Sequence, residues 1–341
     1  MKKILALILS VLMTLTILSA CQNQPSTTQE PTQSPEEQAV LKILTIGNSH
    51  SIDATRLLGS VFEAEAPDQK LVLGTLYVSG CNMSQHADFV RNNKAAYEYF
   101  KNTSGTWNST KNVSLKTALL DEQWDIVVMQ QMNSRQGRDA EYLAANYKTV
   151  INCIFENQEV APKLAFHITW TNPDDYALYL NDDAPLKNPD PRSWRLQHEN
   201  WFRSAEGKYD QSIMYNTIIA KVQKYLVDTT EFLGKNYYDF IIPSATAIEY
   251  LQDVLNRPQP EVYRDYTHLN DYGRLVAAYL WYAQIMGLKS IDKVNVDMIM
   301  PWLLNENSKY PSDQVVDEKM KTDLIASVNW ALAHPYELPE N

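Results

Sequence analysis

The stretch Leu41-Lys-Ile-Leu-Thr-Ile46-Gly47-Asn48-Ser49 is a short apolar run that ends in small residues suited to a turn. Such a run, bounded by turn residues, predicts a buried strand. Active sites of parallel α/β sheets gather at the carboxyl ends of the strands. The stretch therefore predicts a first strand that presents Ser49 at the functional edge of a sheet.

Four further apolar runs predict strands, and segments with helical periodicity separate them. The runs are Leu71–Val78, Ile126–Met129, Leu164–Thr169 and Phe240–Ile242. Apolar residues recur at helical spacing over 143–154, 218–226 and 275–286, and Gly287 is well placed to end the last helix. Alternating strands and helices predict an α/β fold with a mostly parallel, five-stranded sheet covered on both faces.

A second polar motif, Asp265-Tyr-Thr-His268, follows Ser49 by more than two hundred residues. A serine hydroxyl is a poor nucleophile until a base removes its proton. His268 lies in a polar loop, and Asp265 can reach the Nδ1 atom of its imidazole from three residues away. These three residues are therefore the candidate nucleophile, base and orienting carboxylate of a hydrolase.

Each motif also fits a simpler interpretation as the start of a helix. Asn48 or Ser49 could cap a helix after the first strand, and Asn270 or Asp271 could cap one after the second motif. His50 is not expected to be the base, because side chains adjacent in sequence rarely meet in catalytic geometry. The occurrence of both motifs in one chain favours the hydrolase.

Taken together, these residues resemble the SGNH, or GDSL-like, hydrolase superfamily, specifically its branch of bacterial lipoproteins of largely unassigned function. The resemblance covers roughly residues 41–288. It implies a flavodoxin-like αβα sandwich, with Ser49 as nucleophile, His268 as base and Asp265 as its orienter. Asn48 stands where the family usually has aspartate, which leaves the nucleophile intact.

The resemblance also implies an oxyanion hole, in which fixed donors meet the charge that develops on the substrate. Its expected donors are the backbone N–H groups of Ser49 and Gly80 and one side-chain amide. The family's third motif falls on Gln131-Met-Asn133, without its usual glycine and final aspartate. Asn133 supplies the amide in this register, and Gln130 or Gln131 supplies it in another.

Substrate contacts are expected from residues that follow the fourth strand. His167 and Trp170 should approach the same sheet edge, where Trp170 is either an aromatic wall for a sugar or part of the core. The segment Asn172–Trp201 predicts a long loop over the site. Its acidic residues lack a regular calcium-loop pattern, and no Cys/His cluster has zinc-ligand spacing. We therefore expect no metal and no cofactor.

The first twenty residues predict export. Lys2 and Lys3 precede an apolar run that ends in Leu18-Ser-Ala-Cys21, and this pattern fits a cleaved signal better than a membrane span. The tetrapeptide Leu18-Ser-Ala-Cys21 resembles the bacterial lipobox, which implies lipidation of Cys21. Residues 21–39 are polar and predict a flexible tether. The protein is thus expected to be lipid-anchored to a bacterial membrane, with its body extracytoplasmic.

The body is expected to comprise a hydrolase domain at 40–290 and a helical extension at 291–341, packed on that domain. The formal net charge of −11 becomes −13 without Lys2 and Lys3, which argues against a nucleic-acid partner. Export permits a disulfide between Cys81 and Cys153, but two cysteines do not require one.

The sequence predicts a lipid-anchored serine esterase that removes acetyl or another short acyl group from a carbohydrate. The alternative is a non-enzymatic lipoprotein that binds glycans through the same cleft and keeps a relic triad. Fold alone does not separate the two. The complete set of Ser49, Asp265 and His268 favours the enzyme, because a binding protein has no need of all three.

Overall fold

The computed structural model describes residues 40–103, 105–133, 144–170, 238–265, 267–299, 316–335, 337 and 339. The predicted signal, Cys21 and the tether lie outside these residues. So do the predicted loop Asn172–Trp201 and the helix expected over 218–226.

Within the described residues, one sheet of seven strands forms the centre of the fold. The strands are Leu41–Gly47 (β1), Leu71–Tyr77 (β2), Tyr97–Thr103 (β3), Thr106–Val113 (β4), Ile126–Gln130 (β5), Lys163–His167 (β6) and Phe240–Ile242 (β7). Their order is β4-β3-β2-β1-β5-β6-β7. The five predicted strands, β2-β1-β5-β6-β7, all pair in parallel. This order is the flavodoxin-like, doubly wound arrangement, so the predicted fold class is confirmed.

The predicted number of strands is wrong, because β3 and β4 extend the sheet as an antiparallel hairpin beside β2. Neither strand has an apolar run. In β3 only Tyr97, Tyr99 and Asn102 are buried, and β4 is largely exposed along the sheet edge. A polar edge strand resists pairing with other chains, and it also lacks the hydrophobic signal that identifies a buried strand.

Helices cover both faces of the sheet. They are Ser49–Thr55 (α1), Leu58–Glu65 (α2), Met83–Arg91 (α3), Leu115–Leu119 (α4), Ala144–Glu156 (α5), Ser244–Glu249 (α6), Gln259–Val262 (α7), Asp271–Ile285 (α8) and Glu318–Ala333 (α9). A π-helical turn at Tyr250–Val254 follows α6. Of the helices in the described part of the chain, none is long and apolar enough to cross a membrane.

Two hydrophobic clusters lie on opposite faces of the sheet, because successive side chains of a strand point in opposite directions. Ile43 and Val128 pack in the cluster with α1, α2, α8 and α9. Their chain neighbours Leu44 and Val127 pack in the other cluster, with α3, α4 and α5. Burial on both faces explains why β1 and β5 read as continuous apolar runs.

Both expected helix starts are present. The side chain of Asn48 caps α1 by accepting from the backbone N–H of His50, and Asn270 caps α8 by accepting from that of Gly273. Gly287 lies just after α8 at φ +67°, a conformation that favours glycine. The capping interpretation and the catalytic interpretation are therefore compatible, since capping uses Asn48 and leaves Ser49 at the first helical position.

The C-terminal helix α9 packs against α6 and α8. The hydroxyl of Tyr272 in α8 donates to the backbone oxygen of Met320, at 2.8 Å. Ser327 of α9 donates in turn to the backbone oxygen of Ala247 in α6, at 2.8 Å. These contacts join the end of the chain to the helices that follow the last strand of the sheet.

Candidate active site

The structure brings Ser49, His268 and Asp265 into contact across 219 residues of sequence. Ser49 lies at the start of α1, and its Oγ is 2.9 Å from Nε2 of His268. The other ring nitrogen of His268, Nδ1, is 2.9 Å from Oδ2 of Asp265. With the proton of the ring on Nδ1, the imidazole donates to the carboxylate and leaves Nε2 free to accept from the serine. This arrangement suits proton removal from Ser49.

The carboxylate of Asp265 is held in its charged form. Burial acts to raise its pKa, but the hydrogen bond and charge of His268 and the backbone N–H groups of Thr267 and His268 outweigh burial. The pKa of Asp265 falls to about 2 as a result. At neutral pH an ionised carboxylate therefore faces Nδ1, and it fixes the ring's orientation.

A buried carboxylate ties the helix that carries Ser49 to the loop that carries His268. Asp53, four residues after Ser49 on α1, is wholly buried. Its oxygens accept from Arg264 at 2.9 Å, from Arg274 of α8 at 2.9 Å and from the backbone N–H of Leu269 at 3.0 Å. Arg264 also donates to the backbone oxygen of Leu269. Arg264 and Leu269, which flank the Asp265–His268 motif on either side, are thus both fixed to α1.

The two arginines also hold Asp53 in its charged form. Burial opposes this by raising its pKa, but the positive charges of Arg274 and Arg264 have the larger combined effect and lower it. An ionised carboxylate only accepts hydrogen bonds, and its two oxygens have room for all three donors.

Asn48 connects three parts of the site at the end of β1. Its Oδ1 accepts from Gln130 Nε2 at 2.7 Å, and its Nδ2 donates to the backbone oxygen of Cys81 at 3.0 Å. Gln130 accepts in turn from Ser51 Oγ at 2.6 Å. An aspartate at position 48 has no proton to donate to Cys81 when ionised. The amide of Asn48 therefore makes a contact that an ionised aspartate could not make, and through it anchors the loop that contains Gly80.

The three candidate amides of the oxyanion hole occupy different environments. Gln130 and Gln131 are buried, and the side-chain oxygen of Gln131 accepts from the backbone N–H groups of Met83 and Met132, both at 3.0 Å. Asn133 instead lines the same cleft as Ser49 and Gly80. The expectation for Gln131 is therefore wrong, because Gln131 is fully buried and is not among the residues that line the cleft. Gly80 has φ +58°, which favours glycine.

The expected substrate contacts of Trp170 and His167 are also wrong, because both side chains are fully buried. The indole N–H of Trp170 donates to the backbone oxygen of Thr267 at 2.8 Å, beneath the catalytic loop. His167 lies 2.9 Å from Ser244 Oγ, and its ring packs edge-on against Trp281. Of the two interpretations of Trp170, the core residue is the one that the structure supports.

His50 lies next to the triad, but it is not positioned to act as the base. It is buried, and its ring centroid is 4.8 Å from that of Trp170 and 5.9 Å from that of His268. Burial, followed by the nearby charge of His268, lowers the pKa of His50 to about 3. The ring is therefore neutral, and Ser49 contacts His268 instead.

A cleft of about 240 Å³ opens beside the serine. Its lining residues are Asn48, Ser49, His50, Tyr77, Ser79, Gly80, Met132, Asn133, Thr267 and His268. Sequence reasoning missed Tyr77, at the end of β2, and Thr267, within the Asp265–His268 motif. It also missed Asp53, although a carboxylate four residues after Ser49 shares its helix face.

Two other kinds of chemistry would require a reactive thiol or a bound metal ion. Cys81 and Cys153 are free thiols, and burial raises the pKa of Cys81 to about 12 and that of Cys153 to about 11. Neither is therefore a ready nucleophile. Over the described ranges, no group of three or more His, Cys, Asp or Glu side chains could hold a metal ion.

A flavodoxin-like sheet with Ser, His and Asp in contact at the carboxyl ends of its strands has the architecture of the SGNH-type fold. The DUF4886 family, described as a domain of unknown function, matches residues 42–184. That match includes Ser49 and Asn133 and stops before His268. No curated protein matches the sequence.

The solved structures that are similar to this chain include the following three. A DUF4886 family protein from Bacteroides uniformis ATCC 8492 is 24% identical, with a TM-score of 0.65 over 89% of this chain and 98% of that one. A proposed SGNH hydrolase from Slackia heliotrinireducens is 17% identical, with a TM-score of 0.45 over 73% and 100%. A family 3 carbohydrate esterase from Clostridium thermocellum is 10% identical, with a TM-score of 0.37 over 77% and 99%. The first likeness shows a shared fold, and the weaker two add nothing to it.

We predict that Asp53→Asn will both destabilise the fold and misplace the triad. The change keeps the shape of the side chain but removes the Asp53 charge from two largely buried guanidinium groups, of which Arg274 keeps Asp271 at 3.1 Å. We expect a cost of about 3 kcal/mol in the free energy of unfolding. Denaturant unfolding measures this loss, and labelling of Ser49 by a serine-directed reagent measures the second effect in the folded fraction.

Asp323→Asn is the matched control. Asp323 accepts from Arg257 at 2.6 Å and from Lys319 at 2.7 Å, away from the cleft. It should lower stability while leaving the labelling rate per folded molecule unchanged. Equal labelling rates in both variants would show that Asp53 has only a structural role.

Proposed function

We propose that this protein is a serine hydrolase that cleaves ester bonds by a Ser-His-Asp mechanism. The observation that carries the proposal is the pair of 2.9 Å contacts that join Ser49 to His268 and His268 to Asp265. A glycan-binding protein with a relic triad has no reason to keep both contacts in catalytic geometry. The geometry therefore favours the enzyme over the binding protein.

The chemistry follows from these contacts. His268 Nε2 takes the proton of Ser49 as Oγ attacks the carbonyl carbon of the ester, and the carbonyl π electrons move to its oxygen. The backbone N–H groups of Ser49 and Gly80 and the amide of Asn133 are the proposed donors to that oxygen. His268 then returns the proton to the departing alcohol. Water, activated by the same histidine, releases the acid from Ser49.

The proposed substrate is a carbohydrate that carries acetyl or another short acyl group. A cleft of about 240 Å³ fits a short acyl chain better than a long one. Tyr77 takes the place of Trp170 as the aromatic wall. It is half-buried in the cleft lining, and its ring meets that of Phe100 edge-on, at 6.1 Å between centroids. Aromatic faces pack well on the apolar faces of sugars.

We further propose that the protein is exported and anchored by a lipid on Cys21, with its body outside the cytoplasm. The support is the sequence alone: a charged start, an apolar run, the Leu18-Ser-Ala-Cys21 pattern and a polar tether. A single acyl chain binds a membrane only weakly, so stable anchoring requires more than one chain on the mature N-terminus.

The triad predicts that Ser49→Ala and His268→Ala will each lower ester hydrolysis on the order of a thousandfold or more. The double variant should be little worse, because the two residues act as one unit. Steady-state kinetics on p-nitrophenyl acetate and acetylated glycans provide the measurement. Ser109→Ala and His334→Ala, both on the surface, are controls that should retain activity. Activity near wild type in Ser49→Ala would refute the mechanism.

The aromatic wall predicts a substrate-dependent effect of Tyr77→Ala. The change should raise KM several-fold for an acetylated oligosaccharide and spare p-nitrophenyl acetate, because only the larger substrate reaches the wall. Tyr77→Phe keeps the aromatic face and should behave like wild type on both. Equal losses on the two substrates would remove the support for a carbohydrate, although the triad would be unaffected.

The anchor predicts that cells grown with labelled palmitate will mark the wild-type protein and leave Cys21→Ala unmarked. The variant should also move from the membrane to the soluble fraction while its body stays active. Cys153→Ala, which removes a cysteine of the body, should keep the label. An unlabelled wild-type protein would contradict the lipobox interpretation.

A further inference from the structure

The hydroxyl of Thr267 links the catalytic loop to the proposed oxyanion amide. Its Oγ1 is 3.1 Å from Nδ2 of Asn133, which is the donor in this pair. On its other side, Oγ1 is 3.4 Å from Nε2 of His50. All three side chains line the cleft beside Ser49.

The chemistry of the amide sets the direction of the first hydrogen bond, and the tautomer of His50 sets the direction of the second. An amide nitrogen only donates, so Thr267 Oγ1 must accept from Asn133 and direct its own proton elsewhere. Burial keeps the His50 ring neutral, and the tautomer with its proton on Nδ1 accepts the Thr267 hydroxyl proton at Nε2. In that tautomer the chain of donors runs from Asn133 through Thr267 to His50.

We propose that Thr267, supported by His50, is a positioning residue that holds the Asn133 amide as an oxyanion donor. This inference rests on the proposed function. An amide group is planar, so a hydrogen bond from one of its N–H groups to Thr267 fixes the direction of the other. A donor fixed in this way loses no free energy to reorientation as charge develops on the substrate.

The position of Thr267 also couples the oxyanion hole to the base. Its backbone N–H donates to Asp265 Oδ1 at 2.9 Å, and its backbone oxygen accepts from Trp170 at 2.8 Å. One residue therefore contacts the orienting carboxylate through its backbone and the oxyanion amide through its side chain. Any shift of the loop would move the base and the donor together.

The backbone contacts make a clean test possible, since Thr267→Val removes the hydroxyl and keeps both. On p-nitrophenyl acetate it should lower kcat about tenfold, part of the roughly hundredfold that a whole donor contributes, with KM within about twofold of wild type. Thr267→Ser keeps the hydroxyl and should restore most of kcat. Thr267→Ala should match Thr267→Val, which gives a second variant if the valine is poorly folded.

Two comparisons separate positioning from general damage. In the Asn133→Ala background, Thr267→Val should cost nothing further, because it acts only through the missing amide. Thr45→Val is the matched control: Thr45 is buried on β1, and its hydroxyl has no hydrogen-bond partner among the described residues. It should leave kcat unchanged.

Wild-type kcat in Thr267→Val, or an equal further loss in the Asn133→Ala background, would overturn the inference and leave the triad standing. The proposed function fails on a different result, namely wild-type activity in Ser49→Ala.

Discussion

The arrangement of the site depends on the buried carboxylate of Asp53. Ser49 belongs to a helix that follows the first strand, whereas His268 belongs to a loop near the end of the chain. Asp53 contacts Arg264, Leu269 and Arg274 of that later segment, so its charge joins the two. An ion group of this kind is costly to bury unless every partner is present. That requirement favours one relative placement of helix and loop, the one in which serine and histidine meet.

Polar side chains around the cleft divide into those that face it and those that hold it. The amide of Asn48 joins the loop of Gly80 to Gln130 at the end of β5. The side-chain oxygen of Gln131, just after β5, accepts from the first residue of α3. Asn133 faces the cleft. Thr267 contacts both Asn133 and Asp265, so in the proposed mechanism one loop aligns an oxyanion donor with the general base. Preorganised donors of this type are effective because they need not reorient during reaction.

Local patterns in the sequence predicted the parallel strands, the helix starts at Asn48 and Asn270, and the grouping of Ser49, Asp265 and His268. The strands and helix starts follow from periodicity and capping patterns, and the pairing of Asp265 with His268 follows from their spacing within one loop. Their connection to Ser49 was expected from the base that a serine nucleophile requires. The β3–β4 hairpin was missed because an exposed edge strand has little apolar signal. The burial of Trp170 and the choice of Asn133 over Gln131 depend on tertiary packing, which neighbouring residues in the sequence do not determine. Sequence alone therefore located the serine and its base, but it did not separate the amides and aromatic rings that line the cleft from those buried beside it.

Covalent labelling by a fluorophosphonate, followed by peptide mass spectrometry, tests the central claim that His268 and Asp265 activate Ser49. A serine without an activating base reacts negligibly with this reagent. The account predicts one adduct, located on Ser49, that forms on the order of a thousandfold more slowly in His268→Ala and is absent in Ser49→Ala. An unlabelled Ser49 in the folded wild-type protein, or labelling that His268→Ala leaves unchanged, would contradict it.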